Sequence, residues 1–254
     1  SKPVIYINYY SKQTLKMVDH CLKFYRLKIF CFTFLCGILS VKCITAQEEF
    51  VPPPAKYITT IPFKMLTGGI IIVNAKFDNL EDTLNFIFDT GSGGISLDSA
   101  TCDILSIPRE KSDKIVKGIA GNVHVDFAYN HTLHFPALDV EKLDFHINNY
   151  DILTASYGIR IDGIIGYSFL RRYIVMVNYD KHQMDIYSPG AIDYPRGGYV
   201  LKPQFTTLAK LEVGIRDENR ILTKFYFDTG AGLCMLLSED LVKDSTLFKK
   251  RRKF

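Results

Sequence analysis

The sequence predicts a mostly β chain built from two related halves, and three observations carry that prediction. The stretch Phe86-Ile87-Phe88-Asp89-Thr90-Gly91-Ser92-Gly93-Gly94 returns 139 positions later as Phe225-Tyr226-Phe227-Asp228-Thr229-Gly230-Ala231-Gly232. Each copy runs aromatic, apolar, aromatic, which marks a buried strand, and then meets glycines that end it in a tight turn. Around both copies, short β-rich runs are punctuated by polar turns at Asp78-Asn79, Asp180-Lys181 and Asp217-Glu218-Asn219. The 254 residues, 47% of them hydrophobic, are ample for a packed core. A net charge of +4 gives no general argument for a nucleic-acid or membrane partner. Fifteen Tyr and 18 Phe against no Trp suit a strand-rich chain.

The chain opens on Ser1, and Met17 is its first methionine. Lys23, Arg26 and Lys28 then precede an uncharged apolar run from Ile29 to Val41, and Ile44-Thr45-Ala46 places a small residue before Gln47. That order is a secretory signal over residues 17–46, so the mature protein is expected to begin at Gln47 and to be periplasmic or secreted. The apolar run is short for a membrane span; an uncleaved anchor or a buried helix is the alternative. Lys42 before Cys43 argues against a lipoprotein site. Residues 1–16 are read as an N-terminal extension without a structural role. Cys21, Cys31, Cys36 and Cys43 all fall in the signal, leaving Cys102 and Cys234, which are expected to be buried free thiols, a disulfide being the alternative. Residues 47–56, with Pro52-Pro53-Pro54, form an extended linker.

The first half is expected over residues 57–190. Pro62 to Met65 leads to the apolar run Gly69 to Val73, and Leu84 to Phe88 returns as the strand that delivers Asp89. Asp98-Ser99-Ala100-Thr101 begins a short helix through Leu105. Ile115 to Val123, holding Gly118 and Gly121, reads as a hairpin with a mobile tip. His131 and His134 would point to opposite faces of a strand, so no shared metal is expected, and no Cys-x-x-Cys exists. Asn130-His131-Thr132 is a glycosylation sequon, relevant only in a eukaryotic secretory host. Leu138 to Ile152 is read as further strands, and Tyr173 to Val177 with Gln183 to Tyr187 as a closing hairpin. Ser188-Pro189-Gly190 and Pro195 to Gly198 connect to the second half, residues 199–254. There Lys210 to Ile215 and Leu222 to Phe227 repeat the opening hairpin.

An Asp on the rim of a hydrophobic strand is costly to bury unless paired or hydrogen-bonded. One such Asp is readable as a turn residue or a cap. Two in matching frames point to carboxylates brought together by pseudo-twofold symmetry. Asp89-Thr90-Gly91-Ser92 and Asp228-Thr229-Gly230-Ala231 resemble the two catalytic signatures of the pepsin/retropepsin superfamily of aspartic proteases. Ile161-Asp162-Gly163-Ile164-Ile165-Gly166 resembles the hydrophobic-hydrophobic-Gly element beside the first Asp loop. The run through Arg172 is most similar to bacterial retropepsin-like aspartyl proteases, and the resemblance covers about residues 59–254.

The resemblance implies a peptide or protein substrate, catalytic Asp89 and Asp228, and neither cofactor nor metal. Close carboxylates cannot both ionise cheaply, so they share a proton; one takes a proton from water while the other hydrogen-bonds the scissile carbonyl. It also implies that Thr90 and Thr229 fix the paired loops and that Gly91 and Gly230 leave room near the water. Ile164 and Ile165 shield the loop, with Gly166 packing closely. The Ser92 hydroxyl can donate to Asp89, which Ala231 cannot do for Asp228. The hairpin at 115–123 falls where a flap would cover the cleft, an ordinary surface hairpin being the alternative.

The fold expected is therefore a pair of aspartic-protease-type lobes, the first complete and the second truncated. A second hydrophobic-hydrophobic-Gly element would fall near position 305, beyond Phe254, and Lys249 to Lys253 is a basic tail without a core pattern. A weakly active or inactive form is expected on that ground, with pairing of two first lobes in a homodimer as the rescue. Three other readings stay open: a pseudoprotease or peptide-binding module, a phosphate-binding loop at Gly91 to Gly94, and a β-protein whose Asp-Thr-Gly repeats are turn chemistry.

Overall fold

The computed structural model describes residues 51–118, 121–194, 196–205, 207–216 and 220–245. The N-terminal extension read at 1–16, the signal expected at 17–46, the turn expected at 217–219 and the basic tail at 249–253 lie outside the described residues. The chain is mostly β, as the aromatic alternation predicts.

Strand β1 spans Tyr57–Met65, β2 Ile71–Phe77 and β3 Thr83–Phe88. The expected antiparallel hairpin is there: β2 pairs with β3 from Ile72↔Ile87 to Lys76↔Thr83. β4 (Ile95–Asp98) leads into α1 (Ser99–Ile104), whose N-cap Asp98 accepts from the Thr101 N–H at 3.0 Å. β5 (Ile115–Gly118) and β6 (Gly121–His124) form the glycine hairpin as a separate two-stranded sheet. β7 (Phe127–Phe135) and β8 (Leu138–Asn148) are a long antiparallel pair.

Here one expectation is corrected. Strand does not continue to Ile152: β8 stops at Asn148, and Asp151–Tyr157 is a helix, α2. Asn149 Oδ1 accepts the Asp151 N–H at 2.9 Å to start it, and Gly158, at φ +67°, closes it in the left-handed conformation. Leu153 and Tyr157, four residues apart, put one face of α2 on the protein.

β9 is only Gly163–Ile165, followed by α3 (Tyr167–Leu170), β10 (Ile174–Asn178) and β11 (Gln183–Tyr187). All but the hairpin join one sheet in the order β10-β11-β1-β2-β3-β9-β4-β8-β7, and β7 pairs back onto β2 at Phe77↔Leu133, closing a barrel. β9 lies parallel to β3 and antiparallel to β4, wedged between them.

The wedge explains the unbroken apolar run at Phe86-Ile87-Phe88. Leu84, Phe86 and Phe88 face the barrel interior among Phe77, Phe145 and Phe169. Ile87 faces the other way, into a second cluster of Ile70, Ile72, Tyr150 and Ile161 beneath α2. A strand buried on both faces has no polar side to alternate with. Each such side chain contributes about 1.5–3 kcal/mol of burial.

Beyond the barrel, β12 (Gln204–Phe205), β13 (Ala209–Arg216) and β14 (Arg220–Tyr226) form a three-stranded antiparallel sheet. α4 (Glu239–Asp244) follows, capped by Ser238 and carrying a Glu239–Lys243 pair at 2.6 Å; no sequence pattern had pointed to it. Both remaining cysteines are free. Cys102 is buried and its thiol is pushed up to about 11 by burial, but Cys234 is exposed, contrary to expectation. It follows the second Asp loop, where Leu233, Met235 and Leu236 are exposed as well.

Candidate active site

Two strands ending in the same turn carry Asp89 and Asp228 to one place. β3 ends at Phe88 and β14 at Tyr226, so both acids sit just past a strand end. In each loop the carboxylate folds back onto its own chain: Asp89 Oδ1 accepts the Gly91 N–H at 2.6 Å, and Asp228 Oδ1 accepts the Gly230 N–H at 2.9 Å.

The threonines lock the loops together by exchange. The Thr90 N–H donates to Thr229 Oγ1 at 3.1 Å, and the Thr229 N–H donates to Thr90 Oγ1 at 3.0 Å. Each hydroxyl then donates across to the other strand end, Thr90 to the Phe227 carbonyl at 2.8 Å and Thr229 to the Phe88 carbonyl at 3.2 Å. Four bonds related by a local twofold leave neither loop able to shift alone.

The glycines complete the symmetry. A Cβ on Gly91 would fall 2.5 and 2.6 Å from the carboxylate oxygens of Asp228, and one on Gly230 would fall 2.6 and 2.7 Å from those of Asp89. Each carboxylate therefore occupies the space that the other loop's missing side chain leaves open. Burial, then the nearby Asp228 charge, raise Asp89 to about 7; a hydrogen bond between the two carboxyls acts in the same direction, and the Gly91 N–H opposes it. The pair is built to hold one proton.

Behind Asp89 lies β9. The Asp89 N–H donates to the Ile165 carbonyl at 2.9 Å, Ile165 is buried in the barrel core, and Ile164 is partly buried against the second cluster. Gly166 presses on the loop itself: a Cβ there would lie 2.7 Å from Ser92 Cβ and 2.9 Å from the Gly94 carbonyl. Ser92 departs from expectation. Its carbonyl accepts the Tyr167 N–H at 2.9 Å and its Cβ faces Gly166, and its hydroxyl makes no hydrogen bond to Asp89. Ala231 is exposed.

Several neighbours had no signal in the sequence. Gly68, at φ +82°, abuts Gly232: a Cβ on it would meet the Gly232 carbonyl at 2.7 Å. The Tyr157 hydroxyl and Ile70 lie about the same glycine, so the first half braces the second loop. His146, half-buried beside Gly94, is held below the usual imidazole range by desolvation. His131 and His134 turn to different acids, Asp78 at 2.6 Å and Asp139 at 2.7 Å. Among the described residues, no group of three or more His, Cys, Asp or Glu could hold a metal ion. A cavity of about 570 Å³ touches Thr90, Tyr167, Leu170, Leu211 and Phe227 but neither aspartate.

Residues 73–169, from β2 to α3, match the family model described as aspartyl protease. The match holds Asp89 and the Ile164-Ile165-Gly166 element and does not reach Asp228. The resemblance to aspartyl proteases is thereby borne out for this segment. Among solved structures, a retropepsin-like aspartic protease from Rickettsia conorii is similar with a TM-score of 0.37 and 15% identity, covering 54% of this chain and 97% of its own. No curated protein matches the sequence.

Proposed function

We propose that this chain, aspartyl-protease-like over its residues 73–169, is an endopeptidase in which Asp89 and Asp228 act on one water. The observation that carries the reading is reciprocal: each carboxylate sits in the gap left by the other loop's glycine. Below about pH 7 the pair keeps one proton, on Asp89. Ionised Asp228 takes a proton from the water as its oxygen attacks the scissile carbonyl carbon. Asp89 gives its proton to the carbonyl oxygen, forming a tetrahedral diol. Asp228 then passes its proton to the amide nitrogen and the C–N bond breaks, while a diol proton returns to Asp89. Both carboxylates come from a single chain, so this reading needs no second copy.

Asp89→Asn and Asp228→Asn test it. Each should abolish pepstatin-sensitive cleavage of a denatured protein substrate without changing the circular dichroism. Undiminished turnover by either variant would remove the assignment.

A second reading, peptide binding without turnover, rests on the unequal support of the two acids. The Asp89 backbone is held by Ile165, whereas the described residues after Asp228 include exposed Leu233, Met235 and Leu236. Peptide or pepstatin binding by a chain that cleaves nothing would favour it. We also propose export, supported by the basic, apolar, small-residue order from Lys23 to Ala46. N-terminal sequencing should find Gln47 first; protein retained in the cytoplasm with Met17 intact would refute it.

A further inference from the structure

The segment that supplies Ile164-Ile165-Gly166 opens on an acid for which the two-carboxylate chemistry has no use. Asp162 is fully buried, at 0% exposure. A carboxylate there is costly unless it is both hydrogen-bonded and paired. It is both. Oδ2 accepts the Asn85 N–H at 2.8 Å, and Oδ1 accepts the Thr101 hydroxyl and Arg160 Nε, each at 2.7 Å. Its backbone is engaged too: the N–H donates to the Asn85 carbonyl at 2.9 Å, and the carbonyl accepts the Asp98 N–H at 2.7 Å. One residue thus ties β3, β4 and α1 to the start of β9.

We propose that Asp162 is a positioning residue for Asp89, acting through β9; the inference rests on the reading of Asp89 as catalytic. β9 has three residues, paired in parallel as Phe86↔Gly163, Ile87↔Ile164 and Phe88↔Ile165. At its near end Asp162 fixes it to Asn85. At its far end the Ile165 carbonyl holds the Asp89 N–H at 2.9 Å, and the Gly166 N–H donates to the Gly94 carbonyl at 3.0 Å. On its sides β9 is paired with β3 and with β4, and it packs so closely that a Cβ on Gly163 would lie 2.8 Å from the Phe86 ring. So short a strand passes any slip along β3 directly to the Asp89 backbone. Asp162 is the stop against it. Its ion-pair partner Arg160, with a side chain 47% exposed, neutralises the charge from the surface without filling the interior.

The test uses the full chain with Asp162→Ala, Asp162→Asn and Arg160→Ala, read by residue-resolved amide exchange and by kcat and KM for a peptide. In Asp162→Ala the Asp89 and Gly166 amides should exchange roughly ten- to a hundredfold faster relative to those of β7 and β8. kcat should fall with KM within about twofold, because the loss is felt at the reacting groups and not in substrate binding. Asp162→Asn, which can still accept from Asn85 and offer its amide to Thr101, should restore most of both. If Asp162→Ala does not fold, Arg160→Ala carries the comparison, with the same pattern at smaller size. Acceleration of the β7 and β8 amides in step with Asp89 would mean a merely structural role and overturn the proposal. So would an Asp89 amide set free with kcat unchanged. Absence of turnover in the parent chain would defeat the enzymatic reading instead, and the exchange pattern would still decide whether Asp162 holds Asp89.

Discussion

Gly91→Ala separates the two acids without removing either. The added Cβ would fall 2.5 and 2.6 Å from the Asp228 oxygens. Unforced carbon–oxygen contacts lie at about 3.3 Å or beyond, so the Asp228 carboxylate, whose Cγ would be nearer still, has to retreat by roughly 0.8 Å or more. Catalytic groups tolerate about 0.5 Å, and a displacement near 1 Å costs on the order of a hundredfold in rate. We expect kcat for a fluorogenic peptide to fall by about that factor, with KM little changed. Fold should survive: Gly91 is not among the residues at positive φ, and Gly→Ala at a compatible position stabilises by about 0.4–1 kcal/mol, offsetting part of the clash. Gly230→Ala should behave alike, its Cβ meeting Asp89 at 2.6 and 2.7 Å. The double variant should fall short of the product of the two effects, since both open the same gap. Wild-type kcat in a well-folded Gly91→Ala protein would show that the carboxylates do not work as a unit.

The remaining predictions use the same geometry. Activity should decline as pH rises through about 7, where Asp89 loses the shared proton, and a pH profile of kcat checks it. The raised Asp89 also binds its proton more readily folded than unfolded. Its contribution to stability is therefore fully present below about pH 4 and lost on the way to about 7. Urea titrations should show Asp228→Asn making that loss shallower, because burial then acts without the second charge. Thr229→Val leaves the Thr90 N–H and the Phe88 carbonyl unpaired and should cost about 1–3 kcal/mol, whereas Thr229→Ser should recover most of it; denaturant midpoints decide. Native maleimide labelling followed by peptide mapping should modify Cys234 and spare Cys102 until the protein is unfolded.

What was legible in the sequence followed from repetition and period. Two copies of aromatic, apolar, aromatic, Asp-Thr-Gly announced the strands, and matching frames announced that their ends would meet. The Asp78-Asn79 and Asp180-Lys181 turns gave the hairpins, because turn chemistry is local. α2 was not legible, since seven residues leave too little periodicity to separate it from β8, and the Leu153–Tyr157 face has meaning only against Ile70 and Ile161. The brace from Gly68 onto Gly232 was hidden for the same reason. So was the turning of Ser92 toward Gly166, a matter of packing between segments more than seventy residues apart. Asp162 stood in plain view within a recognised motif. Its burial, and hence its task, depended on Asn85 and Thr101 arriving around it.

The threonine exchange spans 139 residues of chain. A ribosome adding about 5–20 residues per second needs roughly 7–28 s to travel from the first of those threonines to the second. During that interval the barrel strands from β4 to β11 are made, while the carboxylate just past β3 has no opposite number and no crossed hydroxyls to hold it. If both carboxylates come from one chain, that chain's site is incomplete until Asp228 has been made. Hydrolytic competence would wait for the second threonine, which is made after the last barrel strand has ended at Tyr187.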